Sequence, residues 1–164
     1  MNTDELETLY RNNFQKVYSY VYYRVLDPAI AEDVTADVFM KVVANYDRFD
    51  PARASFSTWA MRIAHNTLVD YYRMRKVHVP IDQLGAEEPH LEDDYPALDE
   101  KQAEVARLLS FLSPDDREII FLKYHEDMKN VEIARLLGMN PATVATRIRR
   151  ALQTMRSQVK ETNR

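Results

Sequence analysis

The stretch Leu136–Ala151, LLGMNPATVATRIRRA, contains one of the two glycines in the chain. That glycine stands between two helical patterns and is followed almost at once by Asn140 and Pro141. Glycine adopts the left-handed conformation that ends a helix without steric cost. Asparagine caps a following helix, and proline at its first position forfeits no hydrogen bond, because the N–H there has no helical partner. The spacing predicts helix, tight turn, helix. In the first helix Ile133, Ala134 and Leu137 form the inward face, and in the second Val144, Ile148, Ala151, Leu152, Met155 and Val159 make one apolar stripe.

Opposite that stripe lie Ala142, Ala145, Thr146, Arg149, Arg150 and Gln153, small near the start and basic further along. Entry into a DNA major groove requires this order. Short side chains let the backbone approach the bases, hydroxyls and guanidinium groups meet base edges and phosphates, and the helix N-terminus favours a phosphate. A packed helical hairpin with a solvated basic face has the same pattern and stands as the alternative.

Working outward, Asp27-Pro28 and Ser113-Pro114 repeat the cap-and-proline signature, so each begins a helix. After Ser113 come Asp116, close to capping-box spacing, and the apolar residues Ile119, Ile120, Leu122 and Tyr124. The segment YSYVYYRV is strand-prone by composition, yet Phe14, Val17, Tyr18, Val21 and Val25 fit helical spacing within a longer run. The chain reads as all-α.

Between His78 and Pro96 the sequence HVPIDQLGAEEPHLEDDYP holds three prolines, the other glycine and a crowd of acids without periodicity. Such a segment is a linker. It divides the chain into two small helical domains, residues 1–77 and 97–164, with 78–96 as an acidic, flexible connection. At 164 residues the chain is long enough for two such domains, and 46% apolar residues suffice for packed cores.

A net charge of -4 argues against a nucleic-acid partner only if the charge is spread evenly. It is not: from Asn130 onward seven basic residues face only Glu132 and Glu161, whereas Asp82–Glu100 is densely acidic. The absence of cysteine removes disulfides, cysteine-ligated metals and thiol chemistry. No signal-like N-terminus or membrane-length apolar run is present, so a cytoplasmic protein is expected.

Taken together, these residues carry a resemblance. NVEIARLLGMNPATVATRIRRAL resembles the minus-35-reading helix-turn-helix of bacterial sigma factors, and LSFLSPDDREIIFLKY looks like the segment preceding it in the extracytoplasmic-function (ECF, group IV) type of the sigma-70 family. In the first domain AEDVTADVFMKV is similar to the core-polymerase-binding helix and FSTWAMRIAHNTLVDYYRMRK to the minus-10-reading helix. The match runs in order along nearly the whole chain. It implies a sigma region 2 domain, a sigma region 4 domain, and a non-catalytic subunit that directs core RNA polymerase to promoters and helps to melt promoter DNA.

Site residues follow from the resemblance, position by position. Ala31, Val34, Val38 and Val42 facing inward would leave Asp33 and Asp37 one turn apart on the outer surface, where the family grips a coiled coil of the largest polymerase subunit; without the resemblance this is a solvated acidic face. Ala36 stands where relatives commonly carry glutamine. In the minus-10 helix Ala60, Ile63, Thr67 and Tyr71 are expected to face the core, with Arg62, Asn66 and Arg73 exposed to hold phosphates or read an adenine edge. Arg62 and Ile63 replace the paired tryptophans of housekeeping relatives, which implies weaker intrinsic melting.

The resemblance places a pocket for a flipped base in the loop RFDPARAS, with Arg53 a candidate DNA contact and Phe49, Phe56 and Trp59 candidate stacking platforms. Helical neighbours favour a core role for Trp59. For the minus-35 element the candidates are Thr143, Ala145, Thr146, Arg147, Arg149 and Arg150, Ala145 replacing a basic residue that many relatives carry. Expected partners are core RNA polymerase, promoter DNA and an anti-sigma factor of unknown identity, with no cofactor and no metal. The acidic linker either enters the basic channel of the polymerase or is a solvated tether.

Two other classes fit less well. A stand-alone helix-turn-helix regulator needs a sensing domain in residues 1–76, where no receiver-like alternation of strands and helices is visible. A metal-dependent hydrolase using His65 and Asp70 finds no His-Asp dyad or HExxH spacing in the sequence, and His78, His90 and His125 are scattered.

Overall fold

A computed structural model describes residues 2–78 and 99–163, with 76–78 described by backbone only. Its elements are α1 (Thr3–Val25), α2 (Pro28–Ala44), a 3-10 turn (Tyr46–Arg48), α3 (Phe56–His78), α4 (Glu100–Leu109), α5 (Pro114–Tyr124), α6 (Asn130–Leu137) and α7 (Pro141–Thr162). No strand occurs among the described residues, and no helix among them is long and apolar enough to cross a membrane. The expected acidic linker lies outside the described residues apart from His78, which ends α3.

All three cap-and-proline signatures begin helices. The Asp27 carboxylate accepts the Ile30 N–H at 3.0 Å, the Ser113 hydroxyl oxygen accepts the Asp116 N–H at 3.2 Å, and the Asn140 side chain accepts the Ala142 N–H at 2.8 Å. Each cap stabilises its helix by about 1 kcal/mol. A fourth start was not marked by proline: Asp99 and Gln102 form a reciprocal capping box at α4.

The chain forms two compact units. In the first, α2 packs on α3. Ala31, Val34, Val38 and Val42 of α2 are buried as expected, joined by Thr35 and Phe39. From α1, Val17, Tyr20 and Val21 are fully enclosed, while Phe14 and Tyr18 are half-buried. Phe39 closes this layer by packing edge-on to Tyr10 and stacking on Phe14, with ring centroids 4.7 and 5.9 Å apart. Lys41 crosses from α2 to α3, donating to the Thr67 hydroxyl at 3.2 Å.

The inward stripe of α3 differs from expectation. Ala60 and Thr67 are buried, but Ile63 and Tyr71 are only half-buried, and Met61, Ala64 and Leu68 complete the core instead. An apolar stripe spans at least about 100° of a helix, and the expected set marked one edge of it.

In the second unit α4, α5 and α6 each pack on α7. Leu109, Ile119, Leu122, Ile133, Val144 and Ala151 are all at most 2% exposed and form its centre. Arg117 is also buried there, and its guanidinium donates to the Leu109 carbonyl at 3.0 Å. On α6 the inward face is Ile133, Ala134 and Leu136, with Leu137 half-buried, so the heavier burial falls one residue earlier than expected.

Candidate nucleic-acid interface and acidic face

Gly138 has φ of 67° and ψ of 38°, the left-handed conformation predicted from its place in the sequence. A Cβ there would meet no atom within 4 Å, so glycine is required by the backbone and not by crowding. An L-residue held in that conformation costs roughly 1–2 kcal/mol. The Met139 N–H bonds back to the Ala134 carbonyl at 2.8 Å, and Glu132 receives the Lys129 N–H at 2.7 Å, so α6 is secured at both ends. Three residues after Leu137, Asn140 opens α7.

Along α7, Val144, Ile148 and Ala151 are buried, Leu152 and Met155 half-buried, and Val159 exposed. The stripe loosens toward the C-terminus of α7. On the other side Ala142, Thr143, Ala145, Arg149, Arg150 and Gln153 are exposed. The Thr146 hydroxyl is half-buried and donates to the Ala142 carbonyl at 3.0 Å, which leaves its oxygen lone pairs free to accept. Arg149 and Arg150 have no acidic side chain within 4.0 Å among the described residues. Arg147 differs from both: its side chain is 35% exposed and its Nε lies 3.7 Å from an Asp116 carboxylate oxygen on α5.

On α2 Asp33 and Asp37 are exposed one turn apart, and Met40 continues the same edge at 71% exposure. Neither acid has an ion-pair partner among the described residues, so two negative charges face outward unneutralised.

The candidate minus-10 residues sit on α3 and the loop before it. Arg62, Asn66 and Arg73 are exposed, and half-buried Trp59 shares their side at i, i+3 and i+7 spacing with Arg62 and Asn66. Phe49, Phe56 and Trp59 meet in one cluster, with Phe49 and Trp59 centroids 5.2 Å apart and Phe49 edge-on to Phe56 at 5.6 Å. Phe56 is buried and serves the core, while Phe49 and Trp59 keep part of their faces open. The loop itself is ordered by Asp50, whose carboxylate accepts the Ala52 N–H at 2.9 Å and lies 3.4 Å from exposed Arg53. Behind it Tyr46 donates to Glu5 at 3.1 Å; desolvation, with the hydrogen bond to Glu5 and its charge, holds this phenol above its ordinary pKa.

Comparison with known proteins decides what these surfaces belong to. The Sigma-70 region 2 family matches residues 9–77 and the Sigma-70 region 4 family matches residues 102–155. The ECF RNA polymerase sigma factor SigW of Bacillus subtilis is 30% identical over 160 residues, covering 89% of this chain and 84% of SigW. This chain belongs to the ECF sigma factors. Its functional class is therefore transcription initiation. BldN of Streptomyces coelicolor, also an ECF sigma factor, is 26% identical over 93% of the chain, which spans 59% of BldN's length. The fold is shared with the sigma factor RpoE of Bartonella quintana, solved with the anti-sigma factor NepR, at a TM-score of 0.79 and 22% identity over 96% of this chain and 98% of that one.

Within this sigma factor the structure brings together two sets of sequence-derived residues. Thr143, Ala145, Thr146, Arg149 and Arg150 share the open side of α7, and Trp59, Arg62 and Asn66 share one side of α3. Several charged partners were not foreseen. Asp70 lies 3.8 Å from Arg73 and 3.9 Å from Lys41, and Asp116 stands beside Arg147. The first of these was signalled by i,i+3 spacing, whereas Asp116 and Arg147 are far apart in sequence and only the packing of α5 on α7 unites them. Among the described residues no group of three or more His, Asp or Glu side chains is placed to hold a metal.

Proposed function

We propose that this sigma factor is a non-catalytic, dissociable specificity subunit of cytoplasmic RNA polymerase. Residues 1–77 bind the core enzyme through Asp33 and Asp37 and read the minus-10 element through Arg62, Asn66 and Arg73. Phe49 and Trp59 receive a base flipped from the melted strand, with Arg53 at the rim of that pocket. Residues 97–164 read the minus-35 element through Thr143, Ala145, Thr146, Arg149 and Arg150, and 78–96 connect the two.

The observation that carries this reading is the order of side chains on α7. Its open side runs from small residues at a capped N-terminus to two arginines with no acidic neighbour, and its apolar side is anchored on three helices. Placed in a major groove, such a helix brings its backbone near the bases first and its charges near the phosphates next. The unpaired acids on α2 have the opposite sign and suit a basic protein surface, which gives each face a different partner.

An anti-sigma protein is a further proposed partner, since RpoE of Bartonella quintana was solved with one. With no cysteine in the sequence, this chain does not sense a signal through thiols of its own. Run-off transcription with purified core polymerase and a library of genomic fragments tests the proposal. Promoter-specific transcripts that require the added protein are expected; binding of the isolated protein to operators, with no effect on core polymerase, would favour the stand-alone regulator.

A further inference from the structure

Of the basic residues on the first half of α7, Arg147 alone has an acidic partner among the described residues. Its Nε is 3.7 Å from Asp116 Oδ1, and its side chain is 35% exposed. The Asp116 side chain keeps 28% exposure, but Oδ1 itself is closed to solvent and accepts no hydrogen bond. A desolvated carboxylate oxygen is costly unless a cation stands beside it, and Arg147 is the cation within reach. Swinging Arg147 toward DNA would strand that oxygen.

The same pair constrains rotation. Val144 and Ile148, buried on either side of Arg147, turn the apolar side of α7 inward, but a stripe about 100° wide leaves room for small rotations of the helix about its axis. An ion pair from α7 to the first turn of α5 does not. Asp116 is itself fixed, because its backbone N–H donates to the Ser113 cap at 3.2 Å.

We infer that Asp116 and Arg147 form an interhelical tie that sets the rotation of α7, so that Asp116 is a positioning residue for minus-35 recognition and Arg147 is withdrawn from the DNA-reading set. The inference rests on the assignment of α7 to minus-35 DNA. It goes beyond that assignment by giving one of the candidate arginines a different role and adding a residue on another helix.

The test uses holoenzyme reconstituted from the full chain and core polymerase, with promoter fragments whose minus-35 hexamer was selected by the wild-type holoenzyme from a randomised pool. Affinity is measured as a function of salt for the selected fragment and for fragments with single minus-35 changes. Asp116→Asn and Arg147→Gln are each expected to lower discrimination against the changed bases by about tenfold, the effect of losing one well-placed base contact. Their double mutant should be no worse than either single, since both break one coupled unit. The salt slope should stay at its wild-type value in all three.

A phosphate-contacting Arg147 gives the opposite pattern. Arg147→Gln would then reduce the slope by about 0.9, and Asp116→Asn would tighten binding by releasing the arginine. That result, or additive losses in the double mutant, overturns the inference. Should Asp116→Asn fail to fold, Arg147→Lys decides: it keeps a cation beside Asp116, so discrimination well above that of Arg147→Gln supports the tie, and discrimination as poor as that of Arg147→Gln, the mark of a bidentate base contact, overturns it. If Arg149→Ala alters neither affinity nor discrimination, the minus-35 assignment fails and the inference falls with it.

Discussion

The two helices assigned to DNA carry their positive charge differently. On α7, Arg149 and Arg150 are exposed with no acid within ion-pair distance among the described residues. On α3, Arg73 lies 3.8 Å from Asp70, which is also 3.9 Å from Lys41, and Arg53 in the preceding loop lies 3.4 Å from Asp50. Arg62 is the exception on that side. The first unit thus neutralises much of its own positive charge and keeps partly open aromatic rings at Phe49 and Trp59, whereas the second presents bare guanidinium groups and no aromatic on the open side of α7. Duplex phosphates reward the second arrangement and exposed single-stranded bases reward the first. On the proposed function, one chain divides into a salt-sensitive duplex reader and a less salt-sensitive base trap.

The largest effect is expected where the charge is bare. Arg149→Ala/Arg150→Ala should weaken promoter binding by about a hundredfold, at 1–3 kcal/mol for each lost bidentate base contact, or flatten the salt slope by about 0.9 for each lost phosphate contact. Binding titrations across a salt series separate the two, and an unchanged affinity at every salt concentration would break the contrast between the helices. Next in size, Phe49→Ala should reduce the stable open complex by roughly tenfold, within the 1–3 kcal/mol typical of base–aromatic stacking, while leaving the salt slope unmoved. Permanganate reactivity of melted thymines reads this loss, and a melting curve of the free protein checks that the aromatic cluster still folds. Smallest is Asp70→Asn: releasing Arg73 and Lys41 from an exposed acid worth at most about 1 kcal/mol should tighten promoter binding two- to threefold and steepen its salt dependence. Weaker binding would mean that Asp70 orders α3 for DNA instead of competing with it.

How far the chain could be read in advance depended on how local each determinant is. Gly138, Asn140 and the three cap-proline pairs act within a few residues of themselves, so the helix-turn-helix and the starts of α2, α5 and α7 were legible in full. Two other turns were not. Leu26 has φ of 53° and Asp127 has φ of 54°; both are left-handed, and whereas aspartate is among the residues enriched there, a leucine gives no sign of such a turn. Leu26 is buried and 2% exposed, so packing holds it where a glycine would have advertised the turn. On α3 the exposed set Arg62, Asn66 and Arg73 was legible because charged and amide groups seek water. The buried set was blurred, because Met61, Ile63, Ala64 and Leu68 spread apolar groups around much of the helix.

The aromatic cluster at Phe49 lay between these cases. Its members were identifiable by type, but only the fold separates buried Phe56 from half-open Phe49 and Trp59. Interhelical partners were least legible of all. Nothing in a single sequence joins Asp116 to Arg147, or Lys41 to Thr67, before the helices that carry them are packed.

The central claim is that one chain joins a polymerase-binding face to a DNA-reading face, and its most direct test is equilibrium binding of the full-length protein to purified bacterial core RNA polymerase. Tight binding is predicted for the wild type and for Arg149→Ala/Arg150→Ala, with loss in Asp33→Arg/Asp37→Arg, which reverses the outward charge of α2 at positions that bear no part of the core. Failure of the folded wild-type protein to bind core polymerase, or equal binding by the charge-reversed variant, would contradict the account.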